Sequence, residues 1–180
     1  ATALVKVSGP DYSDYTTMVP NTELSVTLTP KVQDVKATIK INGITVANQA
    51  TSAAIPLNIG DNVINTVVTA EDGVTTETYS INFIRPPSPN AILKSLKLTP
   101  ASTVAIVSGP DYRDYVTTVP NSEASVTITP VTEDATATIK VNGVTVASGA
   151  ASAAIPLNVG DNVINTVVTA QNGTTINTYS

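Results

Sequence analysis

Short runs in which apolar and polar residues alternate, or β-branched residues crowd together, recur along the chain, and no segment adopts helical spacing. Ser25–Thr29 (SVTLT), Ala37–Ile41 (ATIKI), Ile44–Ala47 and Asn62–Thr69 have this character, a composition that suits a pleated, half-buried surface. Every second residue of a sandwich strand faces the core. The alternation therefore predicts inward side chains at Val26, Leu28, Ile39, Ile41, Val63, Val67 and Tyr79. Turn residues separate the runs. Asn42-Gly43 lies between two strand patterns and predicts a two-residue hairpin loop, whose central residues both need positive φ. Glu71-Asp72-Gly73 predicts a second hairpin with Gly in the left-handed position of a bulged loop. Pro20, Pro30 and Pro56 mark expected strand ends or edges, because Pro cannot donate to a ladder.

The whole pattern then repeats one hundred residues on. SGPDY at Ser8–Tyr12 recurs at Ser108–Tyr112, SAAIPLN at Ser52–Asn58 recurs at Ser152–Asn158, and GDNVINTVVTA at Gly60–Ala70 recurs unchanged at Gly160–Ala170. Roughly two-thirds of the first copy is identical in the second without a gap, and many of the remaining differences, such as Leu28 with Ile128 or Ile41 with Val141, keep an apolar face. The second core is accordingly expected at Val126, Ile128, Ile139, Val141, Val163, Val167 and Tyr179. About seven strands per copy predict an antiparallel sandwich. The one compositional break, Pro86-Pro87-Ser88-Pro89-Asn90, is read as a semi-rigid extended linker holding the two copies in a row. The expected fold is all-β: a sandwich over 1–85, a linker over 86–90 and a sandwich over 91–180. Copy two opens with a strand, Ala91–Thr99, for which copy one has no counterpart. Copy one closes with Ile81–Arg85, for which copy two has none. Each is thus expected to have an open sheet edge.

Composition narrows the chemistry. Nine Lys and Arg against fourteen Asp and Glu leave a net charge of −5 with no basic run, which disfavours nucleic acid. The chain contains neither Cys nor His, so thiol nucleophiles, imidazole bases and the usual zinc and haem ligands are absent. An enzyme would need paired carboxylates or a Ser-Lys pair, whereas the acidic residues fall mainly in expected turns. No apolar run approaches the length of a membrane-spanning helix. The expectation is no catalytic residue, no metal site and no cofactor.

Several motifs together resemble the bacterial cadherin-like β-sandwich repeat. Leu93-Lys-Ser-Leu96-Lys-Leu98 is similar to its opening strand, and Tyr15–Asn21 and Tyr115–Asn121 to its Tyr-containing strand before V-P-N. Leu157–Ile164 resembles its turn-strand, and Ala70–Tyr79 and Ala170–Tyr179 its closing hairpin. The resemblance covers the chain and implies two tandem antiparallel Ig/cadherin-like sandwiches. It also implies a non-enzymatic spacer or adhesive element of a bacterial extracellular or cell-surface protein, or an appendage to an enzyme. Interdomain calcium does not carry over, because those sites need acidic residues at the junction and the linker has none.

Asp11, Tyr12 and Asp14, with Asp111, Tyr112 and Asp114, form the two dense polar-aromatic clusters. Their carboxylates could share a hard cation and the rings could stack on a sugar, but turn and core roles explain the same residues, with Tyr15 opening a strand. Asp61 and Asp161 read as Asx-type turn residues. Asn172-Gly173-Thr174 fits a glycosylation pattern inside a tight hairpin and reads as chance, since Asp72 stands at the equivalent place. Two functions stay open: a structural or adhesive module of a surface protein or fibre, and a carbohydrate-binding accessory module of a secreted enzyme. The expected partners are copies of the same repeat or neighbouring domains, with a glycan as the other possibility. The open edges are expected either to belong to a longer array or to be covered by neighbouring chains through strand addition.

Overall fold

The computed structural model describes residues 5–8, 14–100, 105–108 and 114–180. They form strands and turns, with no helix among them, in two compact units, Ala1–Pro87 and Ser88–Ser180. Unit one carries β1 (Val5–Ser8), β2 (Asp14–Met18), β3 (Ser25–Val26), β4 (Thr38–Ile41), β5 (Ile44–Val46), β6 (Ile55–Pro56), β7 (Gly60–Thr69) and β8 (Thr76–Arg85). Unit two carries β9 (Leu93–Thr99), β10 (Ala105–Ser108), β11 (Asp114–Val116), β12 (Ser125–Thr132), β13 (Thr138–Val141), β14 (Val144–Val146), β15 (Ile155–Pro156), β16 (Thr166–Thr169) and β17 (Ile176–Tyr179).

In unit one a six-stranded sheet, ordered β1-β2-β8-β7-β4-β5, faces the small β3-β6 pair. All neighbours run antiparallel except β2 and β8, which pair in parallel from Asp14 opposite Ser80 to Met18 opposite Ile84. Unit two splits the same plan into β14-β13-β16-β17, β15-β12-β9 and the β10-β11 hairpin. The Asn-Gly loops form as expected: Ile41 pairs with Ile44, and Asn42 and Gly43 have φ of 46° and 84°. Asn142 and Gly143 repeat this at 47° and 82°, values that a side chain beyond Cα tolerates poorly.

The core is built where Ile39, Ile41, Val126, Ile128, Ile139, Val141 and Tyr179 were expected to be buried. Val26, Leu28, Val67 and Val167 are half-buried. The expected register of the 60–69 strand is off by one residue: Val63 and Val163 are exposed, while Ile64, Thr66, Thr166 and Val168 are buried. The pairing explains why. Ile39 lies opposite Val68 and Ile41 opposite Thr66, and directly opposed residues share a face, so inward Ile39 and Ile41 bring the even-numbered residues inward. Tyr79 also departs from expectation and is 38% exposed, against 5% for Tyr179.

Pro130 lies inside β12 opposite Leu96, where β12 has a strand on that side only, so it sits at a local edge. Its carbonyl accepts from Gly149 N, and its neighbours on that side, Ile128 and Thr132, donate their N–H groups to the Ser152 and Ser148 hydroxyls. The missing N–H therefore falls on the irregular 148–152 segment, and the ladder to β9 stays intact. Within the expected linker, Ser88 is buried, its N–H donates to Gln171 Oε1 and its carbonyl accepts from Asn172 N. Asn90 Nδ2 donates to Glu133 Oε2. Ser88 and Asn90 are thus packed against unit two.

Candidate functional site

Of the residues singled out as a possible binding cluster, Asp11, Tyr12, Asp111 and Tyr112 lie outside the described residues. Asp14 is exposed at the start of β2, opposite Ser8 and Ser80. Asp114 opens β11 opposite Ser108. Tyr15 and Tyr115 are half-buried, and Tyr115 packs against the cluster of Ala91, Ile139, Val168 and Tyr179. Burial, then the neighbouring Tyr179, pushes the Tyr115 hydroxyl above its ordinary pKa.

Several described carboxylates are engaged in turns and rungs. Asp72 Oδ1 accepts from the N–H groups of Val74 and Thr75, and Oδ2 from the Thr75 hydroxyl. The Thr75 hydroxyl, then the Thr75 and Val74 amides, hold this carboxyl below its ordinary pKa. Asp134 is held low by the Ser88 hydroxyl and then by the Thr136 hydroxyl and amide. Among the described residues no three His, Cys, Asp or Glu side chains come together as a metal site. The turn before β7 is closed by Asn62 rather than by Asp61: Asn62 Oδ1 accepts from Asn58 N, while its Nδ2 donates to the Asn58 and Gly60 carbonyls. Asn162 does the same in unit two. Asp61 instead accepts from Asn82 Nδ2 across the β7-β8 ladder. The position of Asn62 one residue inside the turn was visible in the sequence, but the choice between adjacent Asp and Asn depends on which side chain the strand directs back over the turn.

What the fold does assemble is a pair of grooves, one in each unit. The groove of unit one has a volume of about 570 Å³ and is lined by Pro30, Val32, Val68, Ala70 and Tyr79, among others. In unit two the equivalent place is covered by Ala91 and Leu93: Leu93 N–H donates to the Tyr179 hydroxyl at 2.9 Å, and Ala91 is 1% exposed. The groove of unit two is about 1100 Å³ and lies between the 115–119 segment and the 160–164 segment, with Leu98, Val126 and Ile128 at its floor. In unit one that place is occupied by Ile81–Arg85, with Phe83 in the core beside Val19, Leu57 and Ile64. Each of these grooves is lined by apolar side chains together with polar ones. Their signal in the sequence was the unmatched pair of strands, Ala91–Thr99 and Ile81–Arg85.

No helix among the described residues is long and apolar enough to cross a membrane. Comparison with known proteins gives a family match in both units: a model described as a cadherin-like beta sandwich domain covers residues 6–86 and 93–180. A protein of Evansella cellulosilytica named "Putative membrane protein" is 39% identical over 75 residues, a stretch that makes up 42% of this chain and 11% of that protein. The matched stretch is thus a small part of the relative.

Proposed function

The chain belongs to the cadherin-like beta sandwich domain family, a family of non-catalytic modules, and from this we propose that it is a structural or adhesive tandem module of a bacterial extracellular or cell-surface protein. The observation that carries the reading is the repetition. Two copies of one module follow each other without a gap, and their differences largely conserve apolar faces while leaving turn residues such as Asn42, Asn62 and Asn142, Asn162 in place. Acidic side chains that could serve chemistry, Asp61, Asp72 and Asp134, hold turns and rungs. The partners in this reading are other copies of the repeat and neighbouring modules.

Two measurements test it. Brief protease treatment of intact cells should release fragments of the 1–180 region, and their absence until lysis overturns the surface placement. On a polysaccharide and glycan array the chain should give no saturable signal. Saturable binding that disappears in Tyr12→Ala and Tyr112→Ala replaces the structural reading with a carbohydrate-binding one.

A further inference from the structure

Asparagine is followed by glycine at three places, Asn42-Gly43, Asn142-Gly143 and Asn172-Gly173. Glycine has no Cβ to shield its backbone nitrogen, so that nitrogen can approach the side-chain carbon of the asparagine before it. All three steps lie in hairpin loops, between β4 and β5, β13 and β14, and β16 and β17, yet the side chains are held differently. Asn42 is exposed, and its Oδ1 accepts from Asn65 N at 3.0 Å. Asn142 is exposed as well, and its Oδ1 accepts from Asn165 N at 2.9 Å. In both turns the asparagine Nδ2 and the glycine N–H have no partner among the described residues.

Asn172 is held on every side. It is half-buried, its Oδ1 accepts from the Thr174 and Thr175 amides at 3.0 and 2.9 Å, and its Nδ2 donates to the Thr175 hydroxyl at 2.9 Å. Its own N–H donates to the Ser88 carbonyl and the Gly173 N–H to the Ala170 carbonyl, both at 3.0 Å. Joining Gly173 N to Asn172 Cγ therefore requires several of these bonds to open together. At Asn42 and Asn142 the single side-chain bond is on the amide oxygen, where a donor draws electrons away from Cγ and stabilises the negative charge that an attack on Cγ puts on that oxygen.

We propose that Asn42 and Asn142 are paired self-modification sites, one in each repeat, which deamidate in the folded chain while Asn172 is protected. The glycine nitrogen gives up its proton to water and attacks the asparagine Cγ. A Cγ–N bond forms, the Cγ–Nδ2 bond breaks, and Nδ2 takes up a proton and leaves as ammonia, with a five-membered imide left behind. Water then opens the imide at one of its two carbonyls. Opening at Cγ restores the ordinary backbone with an aspartate, whose carboxylate can still accept from the N–H of Asn65 or Asn165. Opening at the main-chain carbonyl gives isoaspartate, which routes the backbone through Cβ and Cγ and so adds a methylene to a two-residue loop. That loop sets the pairing of Ile41 with Ile44 and of Val141 with Val144, and the strands after it bring Val46 and Val146 into the cores. Conversion to isoaspartate therefore loosens β5 and β14, each the last strand of its sheet, and either product adds one negative charge per site.

The test incubates the 180-residue chain at mildly alkaline pH and follows each Asn-Gly step by peptide mapping and mass spectrometry, beside the same chain unfolded in guanidinium. Asn42 and Asn142 should convert within about tenfold of their rates in the unfolded chain, and Asn172 more than about a hundredfold below its own, because several hydrogen bonds must open together there. Thr175→Val, which releases Asn172 Nδ2, should speed conversion of Asn172 about fivefold and leave Asn42 unchanged. The double variant Asn42→Asp, Asn142→Asp should melt with the parent, whereas chain enriched in isoaspartate at these two positions should melt at a lower temperature. Asn172 reacting as fast as Asn42 overturns the proposal, and so does an Asn42 that stays intact in the folded chain as long as Asn172 does. Isoaspartyl chain that melts with the parent overturns the loosening of β5 and β14. The glycan-array and cell-surface results are independent of all these outcomes, so the two readings fall separately.

Discussion

Gly60–Ala70 and Gly160–Ala170 are the same eleven residues, yet the first supports a strand from Gly60 to Thr69 and the second only from Thr166 to Thr169. The difference lies outside the segment. Gly60 through Asn65 pair with Ser80 through Arg85, and no described strand takes that position in unit two. The reverse holds at the other sheet: β12 runs for eight residues because β9 pairs with it, whereas β3 runs for two. The residues are identical in the first comparison and differ in the second at Leu28/Ile128, Lys31/Val131 and Val32/Thr132, so in the first comparison the partner strand alone decides the conformation, as expected where strand stability resides in cross-strand pairs and burial.

The comparison can be broken from either side. Appending Ile-Asn-Phe-Ile-Arg after Ser180 should convert 160–165 into strand and raise the stability of unit two by roughly 3–5 kcal/mol, on the scale of burying an aromatic side chain with its neighbours. Hydrogen exchange at Ile164, the counterpart of Ile64 opposite Ile81, reads this directly, and unchanged protection there would mean that the partner strand does not set the conformation. Conversely, Phe83→Ala should cost unit one about 3–5 kcal/mol and speed exchange along Asp61–Ile64, making it resemble unit two. Tyr179→Phe should cost unit two about 1 kcal/mol, because the Leu93 N–H loses its acceptor. Tyr79→Phe, at the exposed counterpart, should be close to neutral in the same denaturant melts.

The smallest effect concerns acid. Asp72 has its native pKa lowered, so its contribution is present above the unfolded-state value and is lost as pH falls through the native one. Asp72→Asn should therefore flatten the acid limb of the unit-one stability curve below about pH 4. Asn172, which caps the same hairpin through Thr174 and Thr175 amides, does not titrate, and its replacement by Ala should leave the slope of the unit-two limb unchanged.

The period of one hundred, the Asn-Gly hairpins and most core positions on the central strands were legible because each depends on local residues. The register of β7 was not, since Val63 and Ile64 are both apolar and only the pairing of Ile39 with Val68 and Ile41 with Thr66 separates them. Pro130 was legible as an edge marker, but not that its edge is served by the hydroxyls of Ser148 and Ser152, which accept from its neighbours Thr132 and Ile128. The Asp-Tyr clusters stood out by composition, whereas the grooves are made of ordinary Val, Leu and Asn that become distinctive only beside one another.

The parallel pairing of β2 with β8 also determines how load is borne. Pulled from Pro86, β8 is held along its length by β7 on one side and by the rungs from Asp14 to Met18 on the other, with Arg85 anchored to two carbonyls at the pulling end. Those bonds lie across the direction of pull and must fail together in shear, whereas a ladder pulled from its end opens one rung at a time.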